Sequence, residues 1–434
     1  MRKMKDSGIP WIGEIPEEWK VCPLKNIIKW KSEKNHEDSL VLSLYRDYGV
    51  IPKDSRDDNY NVTSLDTSGY KYVLPGDLVV NKMKAWQGSI AVSDYEGIVS
   101  PAYHVCEISS PSIHKRYLHH LLRNPSYLPE YMRLSTGMRV GQWDLGFDDF
   151  KNIPVIIPNI DEQNKIATFI DQECARIDAM IEQTRSSIEE YKKLKQAVIT
   201  QAVTKGIRPN RPMKDSGIEW IGQVPFDWQV TKLKYFATIR SGITLGRVYP
   251  PGTKLIEYPY LRVANVQGSY TDLNDVATIA VTEEEAEKYR LCDGELLMTE
   301  GGDRDKLGRG TVWHAEIDPC LHQNHVFALR TNDKLLAEYI SFLSESTVGR
   351  DYFDVTANQS VHLASTNSST ILNFIIPYPT IDEQREIVLY LNQETADIDV
   401  ITSKKKRLLI DLETYKKSLI YEYITGKNTI QEML

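Results

Sequence analysis

Residues 4–25 read MKDSGIPWIGEIPEEWKVCPLK and residues 213–234 read MKDSGIEWIGQVPFDWQVTKLK, with 14 of the 22 aligned positions identical. A repeat this long and this close is an internal duplication, and its period of 209 residues is far beyond that of a solenoid, so each half is a domain-sized unit. A second matched pair closes each half. Residues 160–206 align without a gap on 381–427, sharing Ile-Asp-Glu-Gln at 160–163 and 381–384 and Gln-Glu-x-Ala-x-Ile-Asp at 172–178 and 393–399. The order is opening repeat, variable region, closing repeat, and then the same again around a different variable region.

The closing repeats predict long helices. Asn159 with Glu162 and Thr380 with Glu383 have capping-box spacing, in which each side chain satisfies the other residue's free backbone N–H. Pro158 and Pro379 precede the caps, and no Pro or Gly follows until Gly206 and Gly426, which suit C-terminal stops. That leaves about 40 helical residues, roughly 60 Å. Ile177, Ile181, Thr184, Ile188, Tyr191, Lys195, Val198 and Ala202 step by alternating four and three, as do Ile398, Thr402, Lys405, Leu409, Leu412, Lys416, Leu419 and Tyr423. Such a seam asks for a partner helix, and the other copy is the obvious one. Ile177, Ile181, Ile188, Val198, Ile398, Leu409, Leu412 and Leu419 are its apolar members. The run Lys404–Arg407 reads as a solvated face.

The variable regions, 1 to about 156 and 213 to about 376, carry short β-type runs broken by Gly, Pro and Asn. Examples are 71–74, 78–80 and 98–100, then 295–298, 311–313 and 326–329, with helical stretches near 115–122 and 334–344. The pattern is that of an α+β globule rich in loops. Trp11, Trp19, Trp220 and Trp228 recur in the opening repeats and are read as architecture, since a specificity determinant would differ between halves.

With 434 residues, 41% hydrophobic and 26% charged, the chain is a multidomain globular protein, neither disordered nor collagenous. No run is apolar enough to cross a bilayer, and the start lacks a signal-peptide core, so a cytoplasmic protein without a membrane partner is expected. Five scattered cysteines with no C-x-x-C pair read as reduced thiols. The net charge of −8 argues mildly against a polyanionic partner, but binding depends on local patches. Six bases against Glu257 between Lys232 and Arg262, and five against Glu130 between Lys115 and Arg139, are mixed with polar side chains suited to phosphates and base edges.

Catalytic motifs are lacking. Asn124-Pro-Ser-Tyr127 approaches the Asn-Pro-Pro-aromatic loop of amino-methyltransferases, but it has no second proline and reads as a helix end. Cys320-x-His322-x-x-His325 has no evident fourth ligand, so no metal site is expected. The glycine-rich stretch 301–310 lacks the Lys-Ser/Thr of a phosphate-binding loop.

The two unlike variable regions, the two like helical spacers with their Pro-x-Ile-Asp-Glu-Gln entries, and the Asp-Ser-Gly-Ile-x-Trp-Ile-Gly start of each half resemble the specificity subunit of type I restriction-modification enzymes over essentially the full length. The resemblance implies an α+β fold with pseudo-twofold internal duplication: target-recognition domains at 1–157 and 207–376, spacer helices at 158–206 and 377–427 forming an antiparallel coiled-coil pair, and a tail at 428–434. It implies a non-catalytic chain. Each domain would read one half of a bipartite asymmetric site in double-stranded DNA, and the helices would set the spacer and dock two modification (methyltransferase) subunits. Restriction subunits would join that core, with S-adenosylmethionine, ATP and Mg²⁺ bound by the partners and no cofactor by this chain.

The family pattern gives no list of base-contacting positions, so DNA-binding candidates rest on side-chain chemistry. They are Lys82, Lys84, Gln87, Arg139, Gln142 and Trp143 in the first domain. In the second they are Arg240, Arg247, Arg304, Arg309, Asn324, Asn358 and Gln359. An autonomous modification enzyme would need the missing cofactor loop, and a purely protein-binding scaffold would show no salt-sensitive affinity for DNA.

Overall fold

The computed structural model describes residues 2–56, 63–64, 66–139, 142–302, 307–359 and 364–430. Its chain divides into two units, Met1–Arg185 with Arg407–Leu434, and Ser186–Lys406. Each unit therefore combines one variable region with a stretch of both long helices, Ile160–Lys205 and Ile381–Ile424.

The first unit opens with a hairpin of Met4–Asp6 and Glu14–Pro16. Lys20–Pro23 then pairs antiparallel with Pro154–Ile157, so the two ends of the variable region are hydrogen-bonded neighbours. Between them lies a four-stranded antiparallel sheet in the order Ile28–Lys31, Tyr103–Ile108, Leu78–Asn81, Ile90–Val92. Leu78–Asn81 is buried on both faces, which is why Leu78-Val79-Val80 reads as an unbroken apolar run. The helices Lys115–Arg123 and Leu128–Leu134 follow, then a hairpin of Ser135–Arg139 and Gln142–Leu145. Along the helical seam Ile177, Ile181, Leu412 and Leu419 share one core. Asp178 meets Lys416 at 2.6 Å and Arg185 meets Glu413 at 3.3 Å, residue numbers rising on one helix as they fall on the other, so the pair is antiparallel.

The second unit repeats this frame. It has a hairpin of Met213–Asp215 and Gln223–Pro225, and Gln229–Lys232 pairs with Ile375–Tyr378. Its four-stranded sheet runs Ala237–Ser241, Val326–Thr331, Leu296–Thr299, Gly310–Val312, the same order of equivalent strands. Helices Ala337–Glu345 and Thr347–Val355 follow. The insertions differ. This unit adds a three-stranded sheet of Ala277–Val281, Ile256–Leu261 and Leu321–His322 and a helix Glu283–Tyr289, whereas the first carries the pairs Leu42–Tyr45 with Gly49–Pro52 and Lys71–Val73 with Gly97–Val99. Its helical segments are antiparallel too, with Lys195 to Asp399 at 2.7 Å and the Lys405 ammonium over the Tyr191 ring. Ile188 and Ile398 are buried, while Val198 in this unit and Leu409 in the first are half-buried against their cores. Lys404, Lys406 and Arg407 are exposed.

The duplicated motifs meet where each long helix begins. Asn159 Oδ1 accepts the Glu162 N–H at 2.9 Å and Thr380 Oγ1 accepts the Glu383 N–H at 3.4 Å, so both N-caps form. The glutamates, expected to complete capping boxes, are engaged elsewhere. Glu162 accepts from Trp19 Nε1 at 3.1 Å and from both terminal nitrogens of Arg2; Glu383 accepts from Trp228 Nε1 at 3.1 Å and pairs with Arg211. A carboxylate that answers a buried indole N–H and a guanidinium offsets a larger desolvation cost than one helix-end amide would.

The adjoining Gln163 and Gln384 are wholly buried. Gln163 accepts the His114 N–H at 2.8 Å and donates to the Ser112 and Pro158 carbonyls; Gln384 accepts the Leu336 N–H at 2.9 Å and donates to those of Lys334 and Pro379. Glu-Gln is thus a latch that ties the opening repeat and a helix of the variable region to the spacer. Trp19 and Trp228 are buried and Trp11 is half-buried, but Trp220 is exposed, so the packing expected of all four tryptophans holds for three.

Gly206 and Gly426 end the long helices at φ 73° and 72°. A Cβ on Gly206 would crowd Arg211 and Trp228, and one on Gly426 would crowd Pro16 and Trp19. Each helix therefore finishes against the opening-repeat tryptophan of its own unit.

Candidate nucleic-acid interface

Leu78–Asn81 and Leu296–Thr299 occupy the same place in their sheets, with Asn81 opposite Tyr103 and Thr299 opposite Val326. The next residue is a pivot in each unit. Lys82 N donates to the Ala102 carbonyl at 3.2 Å while its own carbonyl accepts the Leu145 N–H at 3.0 Å. Glu300 N donates to the His325 carbonyl at 2.9 Å while its own carbonyl accepts the Thr366 N–H at 2.7 Å. The same backbone bonds thus join a strand end, a neighbouring turn and the last hairpin of each variable region. Only the side chains differ.

In the first unit Lys82 Nζ meets Asp144 at 2.8 Å, half-exposed. Beyond it the chain turns through Ala85–Gln87, closed by Gly88 at φ 89°, leaving Lys84 and Gln87 exposed. Trp143 on the hairpin meets Trp86 edge-on, centroids 5.0 Å apart. Arg139 pairs in backbone register with Gln142 on the same hairpin. The six first-domain candidates therefore lie on one turn and one hairpin, joined through the pivot. Next to it, exposed Trp30 packs on His104 and Phe147, with the Lys71 ammonium 5.4 Å from its ring. Burial lowers the pKa of His104 and of Lys71 and nearby lysines push both further down, while the Leu145 carbonyl and Asp144 pull His104 part of the way back up.

In the second unit Glu300 Oε2 meets His325 Nδ1 at 2.5 Å, and Asn324 Nδ2 lies 3.3 Å from His325 Nε2. Gly301–Gly302 and Asn358–Gln359 both pair in register with Ala364–Ser365, which brings the glycine-rich stretch to the hairpin. Arg309 is half-buried and its carbonyl accepts the Thr299 N–H. Arg304 lies outside the described residues.

Two candidates have other surroundings. Arg240 pairs with buried Glu295 at 2.7 Å and donates to the Lys288 and Arg290 carbonyls. Its counterpart Lys31 pairs with buried Asp77 at 2.8 Å, so this basic–acidic contact belongs to the duplicated frame. Arg247 pairs with Glu285 on the helix of the insertion.

The basic runs seen in sequence are largely answered in space. Arg262 meets Asp275, Arg116 meets Asp171, Arg133 meets Glu130, and Arg123 donates to the Arg46 and Ile90 carbonyls.

Neither tempting chemical motif assembles a site. Asn124 ends the helix Lys115–Arg123 and its Oδ1 accepts the Ser126 N–H, while Tyr127 is buried and donates to the Pro154 carbonyl. His322 Nδ1 lies 2.7 Å from the Val326 carbonyl, whereas His325 faces Glu300; among the described residues no cluster suits a metal. Sequence reasoning passed over Glu300, Asp144, Trp86 and Trp30. Its missed signal was that Glu300 stands one residue past a strand matching Leu78–Asn81.

The family model for the type I restriction modification DNA specificity domain matches twice, over residues 16–190 and 225–409. The specificity subunit of the type I restriction enzyme EcoKI from Escherichia coli K12 is 22% identical over 96% of this chain and 91% of its own length. That of EcoBI from Escherichia coli is 22% identical over 99% and 90%. Among solved structures, a chain from work on complex assembly and conformational transition of the type I R-M system superimposes with a TM-score of 0.70 at 15% identity, over 95% of this chain and 99% of that one. The HsdS subunit from Thermoanaerobacter tengcongensis gives 0.53 at 14% identity, over 95% and 98%. With one DNA specificity domain matched to each half of a duplicated frame, the chain belongs to the type I restriction-modification specificity family and is a non-catalytic specificity subunit with two target-recognition domains.

Proposed function

We propose that each target-recognition domain reads one half of a bipartite, asymmetric site in double-stranded DNA through its strand-end turn and final hairpin. The long helices set the number of base pairs between the halves and dock two modification (methyltransferase) subunits, to which restriction subunits add. S-adenosylmethionine, ATP and Mg²⁺ belong to those partners, and the assembly works in the cytoplasm. The observation that carries this reading is one backbone pivot, built twice, bearing Lys82 in one unit and Glu300 in the other. A frame that repeats while its presented side chains change sign suits two different half-sites. Joined binding units gain effective concentration over either alone, so modest half-sites yield a specific long one.

The test replaces residues 213–376 with the second domain of another family member and sequences the methylome. One half of the methylated motif should change and the other stay. Change in both halves, or in neither, would refute the assignment. Methyl transfer by this chain without a modification partner would refute its non-catalytic role.

A further inference from the structure

We propose that the pivot residue itself reads a base: Glu300 recognises a cytosine in the second half-site, as the counterpart of Lys82 reading a guanine in the first. This rests on the half-site reading above and names the chemistry of its contact. The two residues hold one position, defined by the backbone bonds to Ala102 and Leu145 in one unit and to His325 and Thr366 in the other. A framework side chain at such a position would be repeated, as Lys31–Asp77 is by Arg240–Glu295. Here a cation is replaced by an anion, so the packing of the frame does not demand either.

Base-edge chemistry assigns the two signs. A lysine donates to guanine O6 and N7, and a carboxylate accepts from the cytosine amino group. Neither side chain is sequestered. Glu300 is 30% exposed and its partner His325 53%, while Lys82 is 33% and Asp144 46%. The partners hold each group in position until DNA replaces or joins them. His325 engages Glu300 at Oε2, and among the described residues Oε1 has no such partner, so Oε1 is the acceptor for the base. In this arrangement His325 is a positioning residue.

The experiment uses the full chain in complex with its modification partner and methylates a duplex library randomised across both half-sites. The unaltered complex should select one motif that contains a C·G pair in its second half. Glu300→Gln should relax that pair alone by about ten-fold or more and leave the first half unchanged. His325→Ala should weaken discrimination at the same position without changing its identity. Lys82→Gln should relax one guanine in the first half only. Glu300→Ala, followed by thermal melting, guards against misfolding. Full preference at every second-half position in folded Glu300→Gln or Glu300→Ala overturns the inference, as does uniform weakening on all sequences, which marks a phosphate contact. If the unaltered complex selects no sequence at all, the half-site reading falls as well, so the two failures are told apart.

Discussion

At the scale of single residues, the duplicated Glu-Gln pair makes the sharpest demands. Glu383 is 4% exposed and answers both Arg211 and Trp228, so Glu383→Gln strips the buried indole N–H of its anionic acceptor, leaves Arg211 only the exposed Asp227, and should cost about 2 kcal/mol. Glu162, 22% exposed, should cost about 1 kcal/mol for the same change, and denaturant titration of both variants checks the ranking. Asp171 gives a pH-dependent counterpart. Burial raises its pKa, but His120 at 2.8 Å and Arg116 at 2.9 Å outweigh that and hold the carboxyl well below its usual range. A lowered folded-state pKa means that its stabilisation is present above the ordinary carboxylate value near 4 and is lost as pH falls through and below it. Asp171→Asn should therefore cost about 1 kcal/mol at pH 7, a figure discounted for its partial exposure, and the gap from the unaltered chain should begin to shrink below about pH 4 and go on shrinking as the pH falls further. Equal gaps at both pH values would mean that the ion pair contributes nothing.

At the scale of elements, periodicity in the closing repeats was enough to read the helices. A seam of 3.5 residues cannot be mistaken for a strand, and it placed Ile177, Ile181, Ile188, Ile398, Leu412 and Leu419 on what is the buried face. The roles of Glu162 and Glu383 were not legible, because cap-x-x-Glu spacing describes only local chain, whereas Trp19 lies 143 residues from Glu162 and Trp228 lies 155 from Glu383. The same limit affected the basic runs, whose acidic answers, such as Asp171 to Arg116, come from remote sequence. The helices also carry an element-scale prediction. Inserting one matched heptad after Thr184 and one after Lys405 keeps the seam and lengthens each helix by about 10 Å. The accepted spacer should grow by roughly three base pairs, give or take one because the second half-site also rotates, with both half-site sequences unchanged. A folded, methylating insertion mutant that keeps the original spacer would assign the ruler to something else.

At the scale of the molecule, repeats outlined the architecture before any strand was placed, since 14 identities in 22 positions reveal a duplicated frame directly. The candidate interface was only partly legible: side-chain chemistry nominates Lys82 and its neighbours, whereas Glu300 becomes a candidate only through the topological equivalence of two strand ends, which composition does not carry. The two helix ends carry a last consequence. Gly206 finishes against Trp228 and is joined to Met213 by residues 207–212; Gly426 finishes against Trp19, which follows the hairpin that begins at Met4. Gly426 and Met4 thus pack within one unit as Gly206 and Met213 do in the other, where six residues join them. A circular permutant opened between Pro209 and Asn210, with a six-residue bridge from Gly426 to Met4, should fold, melt within a few degrees of the parent chain and direct methylation to the same motif. Its two domains would then exchange their order along the chain while the DNA sequence they specify stayed the same.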